Sequence, residues 1–146
     1  MTTQHATDEA EIRERVETLV GAIRTGDMGA VKTIFAPNVV SFDIEAPLRH
    51  LGAETKWKNW EKVFTIYQLP IDYEVRDLTV LVDGDLAVVF AVNRISGTLV
   101  NGPKTNQWVR WTAAWQRIDG HWMVVHDQVS VPTYFPEGRA ALDLTP

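Results

Sequence analysis

Only a few residues in this chain set a titratable group against apolar neighbours, and those are where chemistry would sit. Asp43 ends the apolar run Val39-Val40-Ser41-Phe42 in FAPNVVSFDIEAP. A carboxylate partly desolvated by such neighbours has its pKa raised toward working pH, which suits a general base. An aspartate after a strand also serves turns, and the following Ile44-Glu45-Ala46-Pro47 fits one. His50, in LRHLG, falls in a loop close by, where an imidazole either shuttles protons or bonds the backbone. Asp127 stands between His126 and Gln128 in HWMVVHDQVS. Neighbours on a strand point to opposite faces, so Asp127 and His126 cannot both face inward unless a bulge intervenes. Arg94 and Arg110 sit inside otherwise apolar strands. A buried arginine needs a carboxylate, for which Asp43, Asp72, Asp77 and Asp127 are available. The outcome is either a structural ion pair across strands or a clamp for a ligand carboxylate or enolate.

Composition narrows the chemistry. The chain has 146 residues, 45% of them hydrophobic, enough for one domain (1–146) with a real core. There is no cysteine, hence no disulfide, thiolate metal site or cysteine nucleophile. A formal charge of −5 argues against nucleic acid or anionic lipid as a partner. No apolar run is long enough for a membrane span, and the polar, acidic start MTTQHATDEAEIRER is unlike a targeting peptide, so a cytoplasmic location is expected. Phosphate-binding glycine loops, dinucleotide fingerprints, a GxSxG elbow and HExxH are all missing from the sequence. Asp83-Gly84-Asp85 reads as a hairpin, not a calcium loop. The expected reaction therefore needs neither cofactor nor metal.

The elements that must hold these groups follow from periodicity. Ile12, Val16, Leu19, Val20 and Ile23 share one helical face, with Asp8 and Glu11 forming a capping-box start and Gly26 a stop. A short second helix carries Val31, Ile34 and Phe35 inward and ends at Pro37. A strand then closes at Asp43. The next helix, GAETKWKNWEKVFTIYQ, presents Trp57, Trp60, Phe64 and Tyr67 as an aromatic stripe, with Lys56, Lys58 and Lys62 turned elsewhere. From Pro70 the period changes to two. Ile71, Tyr73 and Val75 alternate, and the pattern resumes on Leu78, Val80 and Val82, a slip that places a β-bulge near Asp77. Turns at Asp83-Gly84 and Asp119-Gly120, and a loop through GTLVNGPKTN, separate the remaining strands. This is an α+β plan: a curved, mainly antiparallel sheet wrapped around N-terminal helices, with a cone-shaped cavity between them.

The segments AIRTGDMGAVKTIFAPNVVSFD, APLRHLGAE, PIDYEVRDLTV, NRISGT, WVRWTAAWQRIDGHWMVVHDQVSVP and AALDLTP resemble the nuclear-transport-factor-2-like superfamily, within it the SnoaL-like proteins and ketosteroid isomerase homologues. The resemblance spans nearly the whole chain. It implies the cystatin-like cone and a homodimer packed through the outer face of the sheet. It does not fix a reaction, because the superfamily includes isomerases, cyclases, dehydratases, epoxide hydrolases and binding modules. In the isomerase pattern Asp43 matches the catalytic aspartate, while the oxyanion-hole donors fall near Leu19 and Ala113, which cannot donate. In the epoxide-hydrolase pattern Asp127 matches a catalytic aspartate, the second acid and the arginine having no clear counterpart. The same alignment turns Met123, Val125, Asp127 and Val129 inward, and His126, Gln128 and Ser130 outward.

Together these readings give a set of expectations. Asp43, Asp127 and His50 are the candidate acid/base residues. Trp57, Trp60, Phe64, Arg94, Trp111, Ala113, Trp115 and Val129 would line a slot for a small hydrophobic, cyclic or aromatic carbonyl compound. Trp108, Arg110, His126 and Gln128 would take that place if the strand parity were reversed. The leading activity is proton abstraction beside a carbonyl, as in an isomerase, cyclase or dehydratase. The alternatives are a non-catalytic binding or interaction module, and a hydrolase using water activated by Asp127.

Overall fold

A computed structural model describes residues 3–146. Its first helix, α1, spans Thr3–Thr25. Ile12, Val16, Leu19 and Ile23 are buried on one face as their spacing requires. The chain leaves α1 through Gly26 at φ 71, a left-handed stop that favours glycine. Asp8 does not cap this helix, because the helix starts at least five residues earlier. It is buried inside α1 and meets the Arg117 guanidinium at 2.8 Å. The second helix, α2 (Met28–Lys32), is short, and Asp27 caps it through a bond from Ala30 N–H. It ends sooner than expected. Phe35, Ala36 and Pro37 already belong to strand β1 (Phe35–Phe42), so Pro37 does not stop a helix.

A two-residue strand, β2 (His50–Leu51), leads into helix α3 (Ala53–Ile66). Four long strands follow: β3 (Asp72–Asp83), β4 (Leu86–Thr98), β5 (Lys104–Ile118) and β6 (His121–Ser130). With β1 and β2 they form a six-stranded sheet in the order β2-β1-β6-β5-β4-β3, in which β1 and β6 run parallel and the other neighbours antiparallel. A small hairpin of β7 (Thr133–Tyr134) and β8 (Arg139–Ala140) lies beyond.

Two irregularities aim the inner face. The register of β3 against β4 shifts between Arg76 and Thr79, with Asp77 at φ 58, which is the bulge that the slipped alternation foretells. A second bulge lies in β6, where Ala114 pairs with His126 but Trp115 pairs with Val124. Val125 is the extra residue. Asp127 and Val129 face inward as expected, but on the other side of the bulge Trp122 and Val124 are the buried residues, not Met123 and Val125. The core joins α1, α2 and the inner face of the sheet through Val89, Trp111, Ala113, Trp115, Trp122 and Val124. Among the described residues no helix is long and apolar enough to cross a membrane.

Candidate functional site

The site centres on a residue whose type hides it in the sequence. Lys56 is 2% exposed, and its ammonium is enclosed on three sides. It donates to Asp43 Oδ2 at 3.0 Å and to Ser41 Oγ at 3.1 Å, and lies 3.3 Å from Asp127 Oδ2. Ser41 in turn donates to Asp127 Oδ1 at 2.5 Å. The topology explains the meeting. Ser41 and Asp127 are paired on the parallel strands β1 and β6, Asp43 is the first residue after β1, and α3 crosses over them. The spacing of Lys56, Trp60, Val63 and Tyr67 (i, i+4, i+7, i+11) is that of one helical face, so the lysine shares the stripe of the aromatic residues instead of avoiding it.

Two carboxylates around one buried ammonium form a closed, net negative cluster, because all three Lys56 donors have partners. Asp43 is held further by Ile44 N–H at 2.7 Å on Oδ1 and by Asn59 Nδ2 at 3.3 Å on Oδ2. Burial by itself pushes the Asp43 carboxyl upward, but the Lys56 charge and these hydrogen bonds outweigh it. The result lies below the ordinary value, opposite to the raised pKa expected from the apolar neighbours. Burial likewise pulls the Lys56 ammonium down, and the charges of Asp127 and Asp43 more than reverse this, holding it protonated. Asp43 is therefore an ionised carboxylate across the neutral range.

His50 stands behind Asn59. Its Nε2 is 3.1 Å from the Glu45 carbonyl oxygen and its Nδ1 is 3.5 Å from Asn59 Nδ2. Because a carbonyl only accepts, Nε2 carries the hydrogen and Nδ1 is the acceptor. His50 thus orients Asn59 and does not line the cavity.

A cavity of about 220 Å³ opens beside this cluster, lined by Asp43, Lys56, Trp60, Tyr73, Ile95 and Val129 among others. A smaller void of about 30 Å³ adjoins it, sharing Lys56, Trp60, Tyr73 and Val129 and adding Asn93, Trp111 and Asp127. Tyr73 and Asn93 are, like Lys56, polar lining groups that nothing in the sequence singles out. Tyr73 pairs with Ile95 and Val75 with Asn93, which makes Tyr73 and Asn93 diagonal neighbours on the inner face. Asn93 Nδ2 donates to the Tyr73 hydroxyl at 2.9 Å. Among the described residues no acceptor meets the hydroxyl's own hydrogen, and Asn93 Oδ1 is buried without a partner. Burial pushes the Tyr73 phenol up to about 12. The Asn93 bond pulls the other way, and the Asp127 and Asp43 charges add to the rise. The phenol stays a donor throughout the physiological range. Leu19 and Ala113 do fail to donate, as expected, but Tyr73 supplies a donor from another strand.

The other expected lining residues divide. Trp60, Trp111 and Val129 face the cavity or its inner void. Trp115 and Ala113 are fully buried in the core, so they do not frame an open slot. Trp57 packs from α3 against the core, with Lys32 Nζ 5.2 Å from its ring, and Phe64 lies against Trp60 at 6.0 Å. Arg94 is on the opposite face of β4, paired with Asp72 at 2.7 Å and Glu74 at 3.0 Å, a structural ion pair and not a clamp. Trp108, Arg110, His126 and Gln128 all take the outer face. Arg76 stacks on Trp108, Arg110 donates to Ser130 Oγ, and His126 Nδ1 donates to the Val40 carbonyl at 2.6 Å. Among the described residues, no three side chains of the metal-ligating type converge.

The family model for the SnoaL-like domain matches residues 12–134. No curated protein matches the chain. A nuclear-transport-factor-2-like protein of unknown function from Pseudomonas putida is 28% identical, with a TM-score of 0.87, covering 97% of this chain and 98% of that one. A candidate scytalone dehydratase from Novosphingobium aromaticivorans is 11% identical, TM-score 0.82, with all of both chains covered (100% each). A candidate dehydratase of this superfamily from Streptomyces avermitilis is 18% identical, TM-score 0.75, covering 86% and 96%. The last two share the fold with this chain and nothing finer.

Proposed function

The chain belongs to the SnoaL-like domain family, and from that premise and the cavity we propose that it is an acid/base catalyst acting without a cofactor on a small hydrophobic cyclic or aromatic carbonyl compound. The observation that carries this reading is that an ionised carboxylate, Asp43, and a protonated phenol donor, Tyr73, line the same cavity. Asp43 would take a proton from the carbon beside the carbonyl as the electron pair moves onto oxygen, where the Tyr73 O–H stabilises the growing charge. Returning the proton to another carbon gives isomerisation, and losing a β-hydroxyl as water gives dehydration. Lys56 holds both carboxylates in place and keeps Asp43 ionised, while Asn59 and His50 brace it. The lowered pKa makes Asp43 a weak base, which fits substrates whose C–H is already acidified by a conjugated or aromatic system.

A hydrolytic reading has one observation in its favour. The 30 Å³ void touches Asp127, Tyr73 and Asn93, and that volume with those partners is enough for a water molecule. Homodimer formation belongs to the same proposal, supported by the exposed Leu81, Val88 and Phe90 on the outer sheet face.

The test is hydrogen exchange in D2O. The protein is incubated with cyclic ketones and enones, and loss of the α-proton signal is followed by NMR. The proposal predicts exchange with at least one compound, abolished in Asp43→Asn while that compound still binds. Exchange unaffected by Asp43→Asn would remove Asp43 from the mechanism, and oxygen-18 from solvent entering the product would favour hydrolysis. Binding of the compounds with no exchange by the wild type would leave a binding module.

A further inference from the structure

The inner end of the cavity carries a pattern that selects a functional group. The Tyr73 hydroxyl offers a hydrogen that nothing among the described residues accepts, and beside it Asn93 Oδ1, in a side chain 3% exposed, is an acceptor that nothing fills. Leaving a buried acceptor empty is unfavourable, so the bound state must complete it. We propose that the ligand is a neutral ring compound bearing a hydroxyl, a phenol or an enol, whose oxygen accepts from Tyr73 and whose hydrogen goes to Asn93 Oδ1. The inference rests on the cavity being the ligand site of the function proposed above: a carbonyl substrate meets Tyr73 alone, and its enol tautomer meets both Tyr73 and Asn93 Oδ1.

Four other groups fit worse. A plain carbonyl or an ether accepts from Tyr73 but leaves Asn93 Oδ1 empty. A protonated amine donates to Asn93 but meets Tyr73 donor to donor. A carboxylate brings negative charge toward Asp43 and Asp127, two carboxylates balanced by one ammonium, and sets a second acceptor against Asn93 Oδ1. A hydroxyl alone both accepts and donates through one atom. The volumes agree: about 30 Å³ at the inner end holds a hydroxyl and not a ring, while about 220 Å³ next to it, walled by Trp60, Ile95 and Val129, holds the ring. A water molecule there in the free protein would make the same two bonds, and the ligand hydroxyl reproduces them on displacing it.

The probes are 2-naphthol, its methyl ether 2-methoxynaphthalene and 2-naphthoate, titrated by calorimetry into the intact chain. The expected result is that wild type binds 2-naphthol roughly 10-fold or more tightly than the ether, with 2-naphthoate weaker than 2-naphthol, since an unfilled buried acceptor is costly. In Asn93→Leu the preference of naphthol over the ether should fall toward parity. The wild-type comparison needs no variant, so a failure of Asn93→Leu to fold leaves the test standing. Equal binding of naphthol and ether by wild type overturns the inference, as would follow if a water molecule stayed on Asn93 Oδ1 beside either ligand, or if the amide were turned with Tyr73 donating to it. Tighter binding of naphthoate, or no binding of naphthol, also overturns it. These outcomes are separable from catalysis. Lost discrimination with Asp43-dependent exchange intact removes this inference alone, and discrimination without any exchange removes the catalytic reading alone.

Discussion

Replacing Lys56 by methionine keeps an unbranched stem of similar length and removes the one charge that lets Asp43 and Asp127 share a buried site. In the native protein that ammonium touches both carboxylates, at 3.0 and 3.3 Å, and is 2% exposed. Removing one partner of a buried ion pair costs about 3–5 kcal/mol, because the remaining charges are left desolvated and unpaired. At about 2–4 °C per kcal/mol for a chain of this size, Lys56→Met should melt roughly 6–20 °C below wild type at pH 7. The sign with pH follows from the native shifts. Asp43 is held below its ordinary value, so its contribution is present above about pH 4 and is lost as pH falls through the native value. Lys56 is held above its ordinary value, so its contribution is present below about pH 10 and is lost as pH rises through the native value. The variant's deficit is therefore largest between these limits. Toward pH 4 one of its two facing carboxylates takes up a proton, and the gap from wild type narrows. Adding Asp127→Asn to Lys56→Met should recover part of the loss, a coupling that two independent sites would not show. Thermal melts followed by circular dichroism at pH 7 and pH 4 decide the matter. A variant within about 2 °C of wild type at pH 7, against the range derived from the ion-pair cost, would refute the reasoning, as would a deficit that does not narrow in acid.

Two further outcomes follow from the same geometry. Tyr73→Phe should lower α-proton exchange on the order of 100-fold, and ultraviolet titration should lose its late phenolic component near pH 12. The variant should also lose about 1–3 kcal/mol in a urea melt, because Asn93 Nδ2 is left without its acceptor. Arg94→Ala should leave exchange unchanged and cost no more than about 1 kcal/mol, since its pairs with Asp72 and Glu74 lie on the far face of the sheet.

Much of the frame was legible because its signals are local. The buried face of α1 follows from the 3–4 residue spacing of Ile12, Val16, Leu19 and Ile23, and the β3 bulge from a break in alternation at Asp77. The β6 bulge left no such trace. Trp122, Met123, Val124 and Val125 are apolar in both phases, so alternation cannot reveal which pair turns inward. Asp8 looked like a cap because its partner, Arg117, is brought to it by tertiary folding across more than a hundred residues. Asp43 and Asp127 stood out as acids in apolar runs, but what joins them did not. Lys56 reads as turned away from the aromatic stripe of Trp57, Trp60, Phe64 and Tyr67, although its spacing from Trp60, Val63 and Tyr67 puts it on the inner face. Tyr73 and Asn93 became a donor–acceptor pair only through the register of β3 on β4, which no local pattern encodes.

Whether Asp43 is the base is decided by the pH profile of α-proton exchange for wild type beside Asp43→Asn. The wild-type rate should hold level as pH falls to about 4, declining only below the ordinary aspartate value, because Lys56 keeps the carboxylate ionised. Asp43→Asn should lose roughly 100-fold or more across the whole range. An acid limb near pH 6–7, where an imidazole titrates, retained in Asp43→Asn, would contradict this and assign the proton transfer to a histidine.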